Sequence, residues 1–245
     1  GREEIRQAAF CAEKSGIPRI SCSGGHGYKG KQAVNAARIV KGETSLEILV
    51  NVGADLTQEA VYELKKCNAD TVCCNLETIN EDVFNFVKPG EKLSDRINIC
   101  QMVSDAGIGL SSGLLIGLGE SYEDRVDHLI FLGTFETLEE IPIMGFTPYV
   151  DTPMENHPPC SIEEQLKAIA ITRIMYPKIR ITVPTPTIGP ENVQLPLLAG
   201  ANNLATVIPE DYPLVVKGVG NPDYGNLHEV ISVVEDLGLE VQLHA

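Results

Sequence analysis

Two hydrophobic periods alternate along the chain. Apolar, β-branched runs at 18–23, 46–52, 70–77, 108–117, 141–149, 179–185 and 203–208 read as strands. The segments between them carry helical spacing. Ile5, Ala8, Ala9 and Ala12 share one face, as do Ile162, Leu166 and Ile169, and later Leu227, Ile231 and Val234. Ser121-x-x-Asp124 and Ser161-x-x-Glu164 are helix starts, in which the hydroxyl caps an orphan amide and the acid reaches back. Gly107 and Gly238 follow helical stretches, where a left-handed residue commonly ends the helix. Strands alternating with helices predict βαβ units and a parallel sheet. One opening helix and seven βα pairs predict a (β/α)8 TIM-type barrel whose first strand is missing from the chain and would precede Gly1. A doubly wound open sheet of seven strands is the alternative. No linker or low-complexity segment divides the chain, so 1–245 reads as a single domain.

Composition narrows the function classes. At 43% hydrophobic residues a buried core is available, and a net charge of −15 repels phosphate backbones, which argues against nucleic-acid binding. No apolar run approaches the roughly 20 residues that span a bilayer. The N-terminus opens into an amphipathic pattern rather than a signal peptide, so a membrane role is not expected. Seven scattered cysteines with no Cys-x-x-Cys spacing read as reduced and cytoplasmic, most of them small core residues and none a metal motif. His157-Pro158-Pro159-Cys160 reads as a plain loop, and Glu136 to Glu140 as a solvated turn. Cys22 is either core or site wall, and His26 either faces the site or solvent.

In a barrel, chemistry sits at the C-terminal ends of strands. Those ends hold Ser23-Gly24-Gly25, then Asn75-Leu76-Glu77-Thr78, then Leu114 to Glu120 including Gly117-Leu118-Gly119-Glu120, then Phe146-Thr147-Pro148-Tyr149. With Asp95-Arg96 opening a helix that ends at Ser104-Asp105-Ala106-Gly107, and Ala199-Gly200-Ala201-Asn202 further on, this order resembles the biotin synthase-like radical S-adenosylmethionine (SAM) family. The resemblance runs from about residue 3 to 210 and makes the chain a radical SAM-type barrel.

The resemblance implies SAM and a [4Fe-4S] cluster as cofactors. Ser23, Gly24 and Gly25 would meet the methionine amine, Asn75 and Glu77 the ribose hydroxyls, Arg96 the carboxylate, and Leu115 the adenine. Asn75 and Glu77, two apart on one strand, are expected to point the same way, and Arg96 to lie on a helix surface with few core contacts. The family's three cluster cysteines are absent and expected upstream of this chain. The family's activity is one-electron cleavage of SAM to a 5′-deoxyadenosyl radical, with a small-molecule substrate and a low-potential electron donor such as ferredoxin.

The further cysteines and arginine with which biotin synthases hold a second cluster fall here on Cys22, Leu49, Ser111 and Thr185, which argues against biotin synthase. Residues 146–153 look more like the branch containing the [FeFe]-hydrogenase maturase, methylornithine synthase and the proteins of [Fe]-hydrogenase (iron–guanylylpyridinol) cofactor maturation. Methylornithine synthase would be expected to use an acid near the seventh strand, which Pro184 to Pro186 does not offer, so the cofactor-maturation reading leads. No lysine lies within a predicted strand to serve a Schiff-base aldolase. A non-catalytic barrel that binds a nucleotide-like ligand is the remaining alternative.

Overall fold

The computed structural model describes residues 1–24, 27–214 and 225–243. In chain order the elements are α1 (Arg2–Lys14), β1 (Arg19–Ser23), α2 (Lys31–Glu43), β2 (Glu47–Asn51), α3 (Gln58–Lys66), β3 (Thr71–Cys73), α4 (Glu81–Val87) and α5 (Leu93–Asp105). Then come β4 (Gly109–Ser111), β5 (Leu114–Ile116), α6 (Tyr122–Leu132), β6 (Leu138–Gly145), α7 (Ile162–Met175), β7 (Arg180–Pro184), α8 (Thr185–Ile188) and α9 (Gln194–Ala199). The chain closes with β8 (Asn203–Ala205), β9 (Val207–Ile208), β10 (Gly225–Asn226) and α10 (Leu227–Asp236).

The main sheet runs β1-β2-β3-β4-β6-β7-β8, every pair parallel, with β5 also pairing β6. This is the partial (β/α) barrel that the periodicity predicts, seven strand positions in sequence order with helices between. β9 and β10 form a separate parallel pair.

Alternation along each strand divides the residues between two environments. Ile48, Val50, Val72, Leu110, Ile141, Ile181 and Val183 are fully buried against the helices. Each contributes roughly 1.5–3 kcal/mol by leaving water. Their neighbours Ser21, Ser23, Asn51, Cys73, Ser111 and Thr182 point to the other face. That face is concave, because Arg19 Nη1 on β1 reaches Glu140 Oε2 on β6 at 2.5 Å, four strand positions away.

The strand expected over 108–117 is interrupted. Pro142 on the facing strand has no N–H to give the ladder, and Gly113 lies so close that a Cβ there would overlap the Pro142 carbonyl oxygen. The register also shifts between Leu110 and Ser111. The result is two short strands, β4 and β5.

Of the run Glu136 to Glu140, read as a solvated turn, Glu136 and Thr137 do form a turn with Glu136 exposed, but the C-terminal part departs from that reading. Glu139 and Glu140 belong to β6, and Glu140 is buried. It accepts from Thr182 Oγ1 at 2.6 Å as well as from Arg19, and Arg180 Nη1 stands 3.9 Å away. Run composition suggested solvent exposure, but sheet curvature brings two arginines inward and makes a buried carboxylate tolerable.

Helix faces fared unevenly. Ala8, Ala9 and Ala12 are buried as expected. On α7 the buried side is Gln165, Ala168, Ile169 and Thr172, while Ile162 is exposed. The helix is rotated because Gln165 Nε2 donates to the Ile143 carbonyl at 3.1 Å and to Thr187 Oγ1 at 3.3 Å. On α10 Leu227, Ile231 and Val234 are only half-buried. Gly107 and Gly238 have φ of 64° and 72°, the left-handed ends that were expected.

Candidate functional site

The concave mouth of the sheet collects most of the residues singled out in the sequence. Ser23 ends β1 and is exposed on that face, beside Ser21, whose hydroxyl oxygen is 3.4 Å from its own. Gly24 follows, its N–H donating to the Asn51 carbonyl at 3.1 Å. Gly25 and His26 lie outside the described residues.

Regular β3 stops at Cys73, so Asn75 and Glu77 are not on one continuous strand as expected. Glu77 has a φ of 66°, a left-handed conformation costly for a residue with a Cβ. Two hydrogen bonds hold it there. Its N–H donates to the Gly113 carbonyl at 3.2 Å, and its carbonyl accepts from the Leu115 N–H at 2.9 Å. These bonds tether the rim residue to the strand bearing Leu115. Leu115 is half-buried between Leu114 and Ile116, which are buried on the opposite face. Asn75 Nδ2 touches Met144 Sδ at 3.9 Å across the concave surface.

Arg96 is not a surface residue. Its side chain is 5% exposed. Nε and Nη2 both reach Glu91 Oε2, at 2.9 and 2.8 Å, while Nη1 donates to the Asn75 carbonyl at 2.5 Å and lies 3.5 Å from Glu77 Oε1. Burial works against its charge, but Glu77 and Glu91 more than offset that, and the guanidinium pKa is held above its ordinary value. Lys88 Nζ stands 3.5 Å from the same Glu77 oxygen.

The turn after β5 is held from inside and from above. The Glu120 carboxylate accepts from the Gly117 and Leu118 N–H groups, at 2.9 and 2.7 Å, and from Arg125 Nε at 2.7 Å. His157 Nε2 is 2.9 Å from the Gly117 carbonyl, and its ring stands edge-on to Phe146 with centroids 5.3 Å apart. Cys160 packs so close to Gly117 that a Cβ there would lie 2.9 Å from its own. The sequence reading took 157–160 as a plain loop. No spacing signal joins His157 to Gly117, and only the fold brings them together.

Cys73, Cys74 and Cys100 lie near one another, but the cysteines do not form a metal site. Among the described residues no group of three or more His, Cys, Asp or Glu is placed to hold a metal ion. Cys73 is buried and burial pushes its thiol up to about 12. Cys74 is also held well above its ordinary value, first by the neighbouring Cys100 thiol and then by burial. Such thiols are inert as ligands at neutral pH. Cys22 is half-buried and packs against the core. Thr185 Oγ1 is committed to the Thr206 carbonyl and the Gly225 N–H, at 2.8 and 3.2 Å.

The sequence profile of the Radical SAM superfamily matches residues 2–132. The chain belongs to the radical SAM superfamily. Residues 142–240 match a second profile, the Biotin and Thiamin Synthesis associated domain. The chain is 61% identical over 241 residues to uncharacterized protein MJ0785 of Methanocaldococcus jannaschii, covering 98% of this chain and 64% of that protein. It is 30% identical to biotin synthase of Ehrlichia chaffeensis, covering 82% of this chain and 63% of the relative. It thus spans less than two thirds of the length of either relative. Among solved structures, methylornithine synthase (PylB) superposes with a TM-score of 0.86 over 97% of this chain and 72% of that one, at 23% identity. That likeness concerns the fold.

Radical SAM proteins use SAM and a [4Fe-4S] cluster. The rim fits the first of these. Among the described residues Glu77 Oε2 accepts no hydrogen bond, and the Asn75 amide makes only weak sulfur contacts, Nδ2 to Met144 Sδ at 3.9 Å and Oδ1 from the Cys73 thiol at 3.5 Å, so an acceptor and an amide are available beside each other. A ribose diol needs that set. The cysteines of this chain do not fit the cluster, since they lie scattered over α1, β1, α5, the ends of α3 and β3, and the loop after β6.

Proposed function

We propose that this protein is a radical SAM enzyme of biosynthesis, with Asn75 and Glu77 binding the SAM ribose at the mouth of the partial barrel. The observation that carries the reading is the strained, doubly tethered Glu77 with an unspent carboxylate oxygen. Strain of this kind persists where the surroundings enforce it and clusters at functional sites. With its cofactors bound, such an enzyme gains a 5′-deoxyadenosyl radical that takes a hydrogen atom from substrate. The chain's own part is to bind and orient. Ser23, Gly24 and Gly25 are assigned to the methionine amine, and Leu115 to the adenine. Residues 1–245 are proposed as one barrel domain, which the continuous sheet from β1 to β8 supports. The cluster ligands are assigned to sequence upstream of this chain, and a ferredoxin-like donor to electron delivery.

The specific reading is maturation of a cofactor such as the iron–guanylylpyridinol of [Fe]-hydrogenase, acting on a small molecule. Support comes from the C-terminal end of β7, where Pro184 and Thr185 are neutral and Thr185 Oγ1 is committed to the Thr206 carbonyl and the Gly225 N–H. An amino-acid substrate's ammonium finds no free acid there among the described residues. The superposition on methylornithine synthase favours the second reading, an amino-acid mutase of that type.

The test uses the full-length protein, reconstituted anaerobically with iron and sulfide and supplied with reductant. It should convert SAM to 5′-deoxyadenosine, and pyridinol precursors should stimulate turnover more than amino acids. Stimulation by an amino acid alone would favour the second reading. No 5′-deoxyadenosine despite SAM binding would leave a non-catalytic barrel.

A further inference from the structure

The outer wall of the sheet carries a surface that the candidate site does not use. Helices α6 and α7 follow β5 and β6 and lie side by side, joined through Glu164, which accepts from Tyr122 Oη and Arg125 Nη1, each at 2.7 Å. Along the seam both helices turn apolar side chains to solvent. Tyr122, Val126 and Ile130 recur at helical spacing on α6, and Ile171 and Ile174 do so on α7, so each set forms one stripe. Ile130 is 58% exposed and Ile174 78%. Between the stripes opens a cavity of about 140 Å³, with Tyr122, Val126, Leu129, Ala168 and Ile171 in its lining. Single exposed apolar residues are ordinary, but a contiguous set beside an apolar cavity marks an interaction surface. No element among the described residues covers it.

Charge around the seam selects what it receives. Glu164 holds both cations of the cavity wall, Arg125 and Lys167, at 2.7 and 2.8 Å. Glu123, Asp127 and Glu163 are exposed on the outer faces of the two helices and form no ion pair among the described residues. A second copy of this chain would set these acids against their own counterparts, with a net charge of −15 on each molecule, and an anionic membrane would be repelled in the same way. We propose that the seam between α6 and α7 is a docking groove for a basic amphipathic helix of a partner protein. The apolar face of such a helix runs along the stripes, whose length is about 12 Å at 1.5 Å per residue. One aliphatic side chain enters the cavity as an anchor. Lysines or arginines beside it meet Glu123, Asp127 and Glu163. The groove lies outside the sheet, so a docked helix and a ligand at the concave mouth do not compete for space.

Synthetic peptides test the groove on the full-length protein. The probe is a fluorescent peptide of about 18 residues, made of leucine and lysine with the leucines at helical spacing. One control alternates the same leucines and lysines, and another replaces lysine by glutamate. Anisotropy titration should show the helical leucine–lysine peptide binding roughly tenfold tighter than the alternating one, and no binding of the glutamate peptide. Ile130→Ser and Ile174→Ser, at exposed positions that the fold tolerates, should each weaken it on the order of tenfold. Glu123→Gln combined with Asp127→Gln should weaken it and flatten its dependence on salt. Phe86→Ser removes an exposed aromatic on α4, outside the groove, and should change nothing.

Equal binding of the helical and alternating peptides would reduce the surface to a charge effect and overturn the proposal. So would parent-like binding by Ile130→Ser and Ile174→Ser, which places the peptide elsewhere, or no binding to the full-length protein, which means the groove is closed to partners. Sedimentation is the remaining arm. A dimer of the full-length protein that Ile130→Ser dissolves would make a second copy the occupant and overturn the basic helix.

Discussion

At the scale of the residue, His128 carries a clear energetic consequence. It sits on α6 at 1% exposure with no hydrogen-bond partner for Nε2, and burial pushes its pKa down from the ordinary 6.5 to about 3. Above pH 6.5 the imidazole is neutral in both folded and unfolded chains, and the full stability is present. As the pH falls below 6.5, the unfolded chain takes up a proton that the folded one refuses, and stability drops until about pH 3. The slope is about 1.4 kcal/mol per pH unit. Between pH 6.5 and 5 the protein should therefore lose about 2 kcal/mol that His128→Leu retains. Urea unfolding of both proteins at pH 7 and pH 5 checks this; equal losses would show that the folded protein protonates the imidazole as readily as the unfolded chain does. Residue identity was legible here, since the sequence places Asn75 and Glu77 at a strand end. The positive φ of Glu77 and the burial of Arg96 were not, because both depend on chain distant in sequence.

Elements obey more local rules. Both serine starts appear as read, with Ser121 Oγ accepting from the Asp124 N–H at 3.1 Å and Ser161 Oγ from the Glu164 N–H at 3.3 Å. They then diverge. Asp124 returns to the Ser121 N–H and completes the box, at 2.7 Å. Glu164 instead accepts from Arg125 at 2.7 Å and Lys167 at 2.8 Å, so it joins α6 to α7. Ser121→Ala should cost about 1 kcal/mol in thermal unfolding, near the middle of the range for lost N-caps. A change within a few tenths would mean water or Asp124 alone suffices as the cap. The break between β4 and β5 shows the limit of local reading. Pro142 is visible in the sequence, but its opposition to Gly113 depends on register across the sheet.

For the whole molecule, curvature is pinned from inside. Arg19 and Glu140 join β1 to β6 over the concave face, with Thr182 and Arg180 beside them. Asn203 Nδ2 donates on to Thr182 Oγ1 at 2.8 Å, extending the network to β8. Glu140→Ala leaves the largely buried Arg19 with only the long pair to Glu139 at 3.8 Å and should cost roughly 3–5 kcal/mol. The double variant Arg19→Met with Glu140→Met removes both charges and should recover much of that loss in chemical denaturation. If the double variant is as unstable as the two single losses added, the pair does not act across the sheet as a unit. The network occupies the N-terminal ends of the strands, whereas the candidate site lies at their C-terminal ends, the usual division in barrels. The molecule can thus be stabilised at one end without crowding the other. No helix among the described residues is long and apolar enough to cross a membrane.

The sequence by itself determined the order of elements, the parallel sheet, the caps and the chemical types gathered at the strand ends. All follow from short-range periodicity and from the βαβ connection, which sets successive strands side by side and parallel. Tertiary structure decided which charges are spent and which are free. Glu140 read as solvated and is buried against Arg19; Arg96 read as a surface cation and is enclosed by Glu77 and Glu91; His157 read as loop and holds Gly117. The physical reason is the same in each case. Whether a polar group is satisfied depends on partners that may be distant in sequence or set by burial, and no local period encodes where the curled sheet will bring them.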